Sequence, residues 1–374
     1  MIIYIDKTIA SQKSGKPLDD SEIKLFEHLA NSHKEGYSLL CGDIFSIEYL
    51  SSAVDVYFRP VFIQIMSKQP ELRALIEKVS KVIVLSYKQE PEVPKFFSTI
   101  SDIIIIKVND AAKLAMHEQC ALICENMNDC EFYSLIGERY RNDFAVGGIQ
   151  ISLRPDPGGG GTVFQMLEDR AIKQKNCALC IVDSDYKHGN NPPLGSTAAK
   201  VKSSKVAIKH KVPYAIFHIM VLDVHEAENL IPISVLENIS NNIPTMEDGI
   251  KFMKALIREN LTDALKYYDL KNGDKKIKAP EKLTETDPLK KAKYDIAIKY
   301  WDNICDKLGI NYIPALCSGL LEKAIAEIKR DEKSCSYIHR VVIDDYLITY
   351  WHNIGKEIFT WGCANKPTST HSAK

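Results

Sequence analysis

The sequence predicts an α/β protein whose central part is a parallel sheet with helices on both faces. Short, β-branched apolar runs alternate with helix-like stretches over the first 235 or so residues. Beyond about residue 236, apolar positions recur at helical spacing. A length of 374 residues allows two or three domains at roughly 100–200 residues each. We predict an N-terminal α/β domain at 1–118, a central α/β domain at 119–235 and a mainly helical C-terminal region at 236–374, with a lysine-rich linker near 270–293.

The composition of the chain argues against several classes of protein. A hydrophobic content of 45% with 26% charged residues is ordinary for a globular protein, and the net charge of −1 does not indicate a nucleic-acid binder as a whole. Cys177 and Cys180 form a CxxC pair without a second pair, which disfavours a structural zinc site. The apolar run at the N-terminus is too short, and too quickly followed by a charged residue, for a signal peptide. No run reaches the roughly 18 apolar residues of a membrane span. We therefore expect a soluble cytoplasmic protein with no membrane partner.

In the N-terminal domain we predict four strands and, between them, helices over Ser21–His33 and Glu71–Val79. The strands are Ile2–Ile5, Ser38–Cys41, Lys81–Leu85 and Ile103–Val108. Asp6 and Asp43 follow the first two strands, and Asp102 precedes the last. These carboxylates have two interpretations, an acidic site of the PIN nuclease type or turn and cap residues. We favour turns and caps because the spacing matches nothing distinctive.

The central domain reads as β-α-β-α-β-α-β, the order typical of a parallel sheet. We predict strands at 119–125, 145–153, 178–183 and 214–222, with helices at 129–140, from Thr162 and at 196–210. Gly158–Gly161 precedes the second of these helices. Such a run could bind phosphate through backbone N–H groups, although we favour a flexible connection.

Three acidic pairs follow apolar runs in this domain. They are Glu125 with Asp129, Asp183 with Asp185, and Glu226 with Glu228. Residues two apart at a strand end point the same way, and ligands bind at the carboxyl edge of parallel sheets. Clustered carboxylates without paired His or Cys suit Mg²⁺ or Mn²⁺. Each pair alone has an ordinary explanation as a turn or helix-start residue, so the prediction rests on the coincidence of all three.

This order resembles the TOPRIM fold of topoisomerases, primases and overcoming-lysogenization-defect (OLD) family nucleases. The segment from Ile123 to Tyr133 is similar to the first motif of that fold, with Asn126 where glycine is usual. Asn also accepts a left-handed backbone. Ile181–Asp185 is similar to the strand ending in DxD, and Glu226–Pro232 resembles the acidic segment of OLD-like proteins. The resemblance covers about 115 residues and implies a TOPRIM-like central sheet.

The resemblance implies roles for these residues. Glu125, Asp183 and Asp185 would be the catalytic metal ligands, and Asp129 would support the same ion. Glu226 and Glu228 would hold a second ion or act as a base. OLD-type nucleases also use a lysine beyond the acidic pair, which the sequence alone does not identify. OLD enzymes usually carry an ATPase in the same chain, but this sequence has no Walker motif.

We therefore expect a stand-alone Mg²⁺- or Mn²⁺-dependent endonuclease acting on DNA or RNA, an effector in phage defence gated by a separate ATPase or by homo-oligomerisation. Two rivals remain: a TOPRIM scaffold with weak or no catalysis, and a nucleotide-processing phosphohydrolase that shares the DxD. Lysines following the DxD are candidates for phosphate contacts, although a solvated helix face explains them equally well. They are Lys187, Lys200, Lys202, Lys205, Lys209 and Lys211.

Overall fold

The computed structural model describes residues 1–12, 17–92, 94–144, 148–189, 193–273, 284–330 and 337–367. The chain forms two compact units. The first consists of Met1–Cys180, Ser203–Ile219 and His352–Lys374, and the second of Ile181–Lys202 and Met220–Trp351. The predicted α/β class is confirmed, because helices alternate with strands that form two four-stranded sheets. The division into three domains stays a prediction.

The first sheet contains four parallel strands in the order β2-β1-β3-β4. Every predicted strand boundary lies within one residue of the observed one. Buried parallel strands are continuous apolar runs, which makes them easy to find. The elements are β1 (Ile2–Ile5), α1 (Thr8–Gln12), α2 (Asp20–Glu35), β2 (Leu39–Gly42), α3 (Ile44–Ala53), α4 (Arg59–Ser67), α5 (Gln69–Ile76), β3 (Lys81–Ser86), β4 (Asp102–Lys107) and α6 (Val108–Ala111).

Helix α2 shows how local sequence sets the boundaries in this part of the chain. The Asp19 side chain accepts hydrogen bonds from the backbone N–H groups of Ser21 and Glu22, and the Glu22 side chain accepts from the Asp19 N–H. This capping box satisfies donors that the first turn leaves unpaired. The helix ends at Gly36, whose φ of 77° is readily adopted only by glycine.

The second sheet has the order β7-β5-β8-β9, and β5 pairs in parallel with β7 and with β8. It therefore has the same 2-1-3-4 order as the first sheet. The elements are β5 (Cys120–Cys124), α7 (Met127–Asp143), β6 (Ile149–Ile151), β7 (Leu153–Pro157), α8 (Val163–Glu168), β8 (Ala178–Val182), α9 (Ser196–Lys211) and β9 (Phe217–Val221).

The strand predicted at 145–153 is in fact two strands, β6 and β7, separated at Ser152, while 145–147 lie outside the described residues. Strand β7 continues through Pro155 and Pro157, beyond residue 153, where the predicted strand ends. Proline has no N–H to donate, and β7 tolerates it because it is an edge strand.

The rest of the chain is mainly helical, as predicted. It contains α10 (Ile233–Ser240), α11 (Glu247–Arg258), α12 (Pro288–Leu308), α13 (Leu320–Lys329), α14 (Asp345–Gly362) and β10 (Cys363–Asn365). Short helical turns lie at Lys95–Thr99, Gly160–Thr162, Asp169–Lys173, Ala227–Leu230, Pro244–Met246, Thr262–Tyr267 and Tyr337–Arg340. The predicted linker at 270–293 is helical from Pro288 onward, and 274–283 lie outside the described residues.

Helices α7 and α14 approach closely in the first unit. A Cβ added to Gly137 would lie 2.2 Å from Ile358 Cγ2, and one added to Gly355 would lie 2.6 Å from Tyr140 Cβ. Tyr140 and Phe359 from these helices also join the apolar cluster under the first sheet. Within the described residues, we find no helix with both the length and the apolar character needed to cross a bilayer.

Candidate metal centre

The first predicted acidic pair belongs to the first unit. Glu125 directly follows β5, and Asp129 lies in the first turn of α7. Asp129 Oδ2 accepts from the N–H of Asn126 at 3.0 Å, and Asn126 Oδ1 accepts from the N–H of Asp129 at 3.1 Å. Asn126 is therefore an extended N-cap residue with φ −142°, not the left-handed residue that a glycine position suggested. Asp129 has a structural role here, and its predicted role as a metal ligand stays a prediction.

The glycine run Gly158–Gly161 follows β7 and is hydrogen-bonded to the end of β5 and to Glu125. The N–H of Gly158 donates to the carbonyl of Cys124 at 2.8 Å, and those of Gly159 and Gly160 donate to the carbonyl of Glu125 at 3.0 and 3.2 Å. These three donors already have partners, so they do not form a phosphate cradle. The hydrogen bonds favour the interpretation of the run as a connection.

The DxD turn follows β8 and lies in the second unit. Asp185 has a φ of 56°, a left-handed conformation that costs a non-glycine residue about 1 kcal/mol or more. The extended backbone assumed for the pair thus ends before Asp185, and the alternation that would make both carboxylates point the same way does not apply. Asp183 and Asp185 are both partly exposed. Strained residues of this kind cluster at functional sites.

Three contacts hold the DxD turn in place. The N–H of Asp185 donates to the carbonyl of His225 at 3.0 Å, and Ser184 Oγ donates to the carbonyl of Val224 at 2.5 Å. Gly195 donates to the carbonyl of Ser184 at 2.8 Å, and a Cβ at Gly195 would lie 2.0 Å from Asp185 Oδ2. The DxD turn is therefore bonded directly to the turn that carries the third acidic pair.

That neighbouring turn contains a buried histidine between two carboxylates. His225 Nε2 lies 3.6 Å from Glu226 Oε1 and 3.8 Å from Asp269 Oδ2. In the part of the chain that the structure describes, these three form the one group of His, Cys, Asp or Glu residues whose ligand atoms all lie within 4.8 Å of one another. His225 is 1% exposed, and both of its ring nitrogens lack a hydrogen-bond partner among the described residues.

A lysine compensates the acidic pair. Lys271 Nζ lies 2.8 Å from Glu226 Oε2 and 3.0 Å from Glu228 Oε1. Burial alone would lower the pKa of Lys271, but the charges of Glu228 and Glu226 outweigh it and raise the pKa above its ordinary value. Lys271 therefore stays an ammonium, and it is the lysine in contact with the predicted acidic pair.

Two asparagines hold the segments that carry the carboxylates. Asn229 Oδ1 accepts from the N–H of Glu226, while its Nδ2 donates to the carbonyls of Leu265 and Tyr268, both at 2.8 Å. These bonds hold the turn at Ala227–Leu230 against the segment that leads to Asp269. Asn272 then donates to Asp269 Oδ1 from its backbone at 3.0 Å and from its side chain at 2.9 Å.

Sequence reasoning missed His225, Asp269 and Lys271 as site residues. The signal for His225 was its position next to Glu226. Asp269 and Lys271 had no signal, because they lie more than 40 positions further along the chain, one just before and the other within the predicted linker at 270–293. Hydrogen bonds from the Asn229 side chain and from the N–H of His225 hold that segment against the acidic turn.

The predicted phosphate-binding lysines differ in their surroundings. Lys200, Lys202, Lys205 and Lys209 are exposed on α9, whose opposite face buries Val201, Ser204 and Ile208. The end of the Lys209 side chain is partly covered, and its Nζ donates to the carbonyls of Pro213 and Ala215. This partial burial of the ammonium group, together with the positive charge of Lys205, lowers the pKa of Lys209. Lys187 is partly exposed, and its carbonyl accepts from Trp301 Nε1 at 2.9 Å. Lys209 therefore has a structural role, and binding of phosphate by these lysines stays a prediction.

Comparison of the chain with family models, with curated proteins and with solved structures found no match. The assignment of a function therefore depends on the residues and their geometry.

Proposed function

We propose that the protein is a divalent-metal-dependent nuclease that hydrolyses phosphodiester bonds of nucleic acid, with Asp183 and Asp185 as its main ligands for Mg²⁺ or Mn²⁺. The observation that carries the proposal is the direct bond between the DxD turn and the turn of His225, which brings two acidic segments together. The resemblance assigns Glu125 and Asp129 to the same ion, and that assignment stays a prediction.

The donor chemistry supports a hard cation. Asp183 and Asp185 offer carboxylate oxygens, which Mg²⁺ and Mn²⁺ prefer. Strand β8, which ends at Val182 just before Asp183, lies next to β5, where the strand order of the sheet reverses. Ligands of open α/β sheets bind at such a switch point.

The proposed roles of the residues follow from their charge. A bound divalent ion supplies Lewis acidity, which activates water and stabilises charge on the phosphate. Asp183 and Asp185 hold that cation, and the tight packing of Gly195 on Asp185 keeps the second carboxylate in one position. Glu226 or Glu228 would hold a second ion or accept a proton, and Lys271 would stabilise negative charge on the phosphate oxygens.

The biological part of the proposal comes from the resemblance alone. We propose that the nuclease is an effector in phage defence that is held inactive until a separate ATPase or oligomerisation activates it. An uncontrolled nuclease would damage its own host, so some restraint is required.

The test is cleavage of plasmid DNA, single-stranded DNA and total tRNA with Mg²⁺ or Mn²⁺. We expect metal-dependent cutting that Asp183→Asn abolishes, while Asp248→Asn, at an exposed position of the same unit, leaves it intact. Equal cutting by Asp183→Asn and wild type would refute the assigned site. Failure to cut any polymer, alone or with a partner ATPase, would favour a scaffold, and turnover of free nucleotides only would favour a phosphohydrolase.

A further inference from the structure

We propose that His225, Glu226 and Asp269 bind one divalent transition-metal ion of the Zn²⁺ type, at a site distinct from the Mg²⁺ ligands Asp183 and Asp185. This inference goes beyond the nuclease function, since the site would bind its ion whether or not nucleic acid is cleaved. It also gives the buried imidazole a partner.

Two of the three distances between ligand atoms are close to those of a zinc site. With metal–ligand bonds of about 2.0–2.2 Å, neighbouring ligands of a tetrahedral ion lie about 3.3–3.6 Å apart. His225 Nε2 lies 3.6 Å from Glu226 Oε1 and 3.8 Å from Asp269 Oδ2, and all three atoms lie within 4.8 Å of one another. Small movements of the carboxylates would bring the three atoms to the spacing of a tetrahedral ion. Three protein ligands leave a fourth position for water.

The state of the histidine points to a ligand. A buried polar group without a hydrogen bond is costly, and each such group in a native structure requires an explanation. His225 is 1% exposed, and neither ring nitrogen has a hydrogen-bond partner within the described chain. Its Nε2 lies beside two carboxylates, and a metal ion held by the three groups would give this nitrogen a partner.

The cluster is acidic and buried, which suits a cation. Glu226, Glu228 and Asp269 are all at most 8% exposed, and Lys271 lies within 3.0 Å of the two glutamates. Lys271 contacts Oε2 of Glu226, whereas Oε1 is the oxygen that lies beside His225 Nε2.

The ligands are held in place by other bonds. Asn272 donates two hydrogen bonds to Asp269 Oδ1, and Asn229 accepts from the N–H of Glu226. The N–H of His225 donates to the carbonyl of Lys266 at 2.6 Å. The bonds from Asn272 orient the Asp269 carboxylate, as supporting contacts do in metal sites. The two backbone bonds fix the turn that carries His225 and Glu226. An imidazole with two carboxylates selects a transition metal, because Mg²⁺ prefers oxygen ligands only.

The test is metal binding by the full chain after treatment with a chelator. Zn²⁺ is titrated calorimetrically in the presence of excess Mg²⁺, and Co²⁺ serves as a spectroscopic probe of the ligands. We expect one Zn²⁺ per chain that Mg²⁺ does not displace, together with Co²⁺ visible bands of a low-coordinate site. His225→Ala and Asp269→Asn should weaken Zn²⁺ binding by more than about 100-fold, beyond what loss of a supporting contact costs.

Two variants make the result specific. His210→Ala removes an exposed imidazole on α9 and should leave Zn²⁺ affinity unchanged. Asn272→Ala keeps all three ligands and should weaken binding by about 10–100-fold, which tests the site even when His225→Ala does not fold. Asp183→Asn should abolish cleavage but retain Zn²⁺, so that failure of the nuclease proposal and failure of this one are distinguishable.

Three results would overturn the inference. One is a chain that binds no Zn²⁺, as expected if His225 only contacts its two carboxylates. Another is Zn²⁺ binding that His225→Ala and Asp269→Asn leave unchanged. The third is displacement of Zn²⁺ by Mg²⁺ at comparable concentrations.

Discussion

Replacing Lys271 by methionine tests the electrostatics of the acidic turn. The ammonium group lies 2.8 Å from Glu226 and 3.0 Å from Glu228. The two carboxylate side chains are only 11% and 10% exposed, whereas that of Lys271 is 34% exposed. Lys271→Met preserves most of the apolar stem and removes the one cation that contacts both carboxylates in this part of the described structure.

The magnitude follows from these contacts. At an effective dielectric constant of about 20, each attraction is about 5–6 kcal/mol before dehydration costs, which cancel most of it. Breaking a buried ion pair typically costs about 3–5 kcal/mol, because a charge is left uncompensated. Lys271 is one-third exposed and water screens it, so we expect Lys271→Met to lower the free energy of unfolding by about 2–3 kcal/mol.

The assay is urea denaturation of the wild type, Lys271→Met and the matched control Lys251→Met. Lys251 forms an ion pair with Glu247 in which both side chains are about two-thirds exposed, and such pairs contribute about 0–1 kcal/mol. Zn²⁺ or Mn²⁺ should restore more stability to Lys271→Met than to the wild type, because the cation replaces the lost charge. A Lys271→Met protein as stable as Lys251→Met, or one that gains nothing from metal, would refute this reasoning.

Three further predictions concern titration, packing and backbone strain. Burial lowers the pKa of His33 to about 4 in the folded protein. The unfolded chain takes up this proton already at about pH 6.5, so neutral His33 contributes its full stability only above that pH. We expect the free energy of unfolding to fall by about 3 kcal/mol as the pH drops from about 6.5 to about 4. Urea midpoints at pH 7.5 and 4.5 should shift less in His33→Gln than in the wild type, and equal shifts would contradict this assignment. Gly137→Ala should lower the free energy of unfolding by about 1–3 kcal/mol, because the added Cβ would clash with Ile358. A Cβ added at Gly161 would meet no atom of the described residues within 4 Å, so Gly161→Ala should be nearly neutral in thermal unfolding. Asp185→Gly should relieve the strain of the left-handed backbone and raise the free energy of unfolding by up to about 1 kcal/mol. The same substitution removes a proposed metal ligand and should abolish cleavage. A loss of stability would show that the turn is not strained.

The sequence predicted the first sheet closely because its strands are uninterrupted apolar runs between polar turns. The same signal located β5 and β8, and with them the carboxylates that directly follow each strand. It failed at β6 and β7, where a single apolar stretch divides at Ser152 and the second piece continues through Pro155 and Pro157. Edge position permits that proline content, and edge position is a property of the sheet, not of the local sequence.

The acidic turn could be predicted only in part for a similar reason. Glu226 and Glu228 stand out in the sequence, but their electrostatic partner Lys271 lies more than 40 positions away in what looked like a linker. Hydrogen bonds from Asn229 to the carbonyls of Leu265 and Tyr268 create this proximity. Pattern reasoning works over one helix or one strand, and it does not reach contacts that a single side chain makes between distant segments.

The two sheets share one strand order, yet their strand-end carboxylates have different environments. Asp6 accepts hydrogen bonds from the N–H of Thr8 and from Ser86 Oγ, and Asp43 caps α3 through Ser46. These contacts agree with the interpretation of the first sheet's acids as turn and cap residues. In the second unit, by contrast, a buried His225 faces carboxylates and has no hydrogen bond from its ring to any described residue. A carboxylate at a strand end is thus not a site by itself; what distinguishes the second unit is a buried imidazole that lies beside two carboxylates and has no hydrogen-bond partner among the described residues.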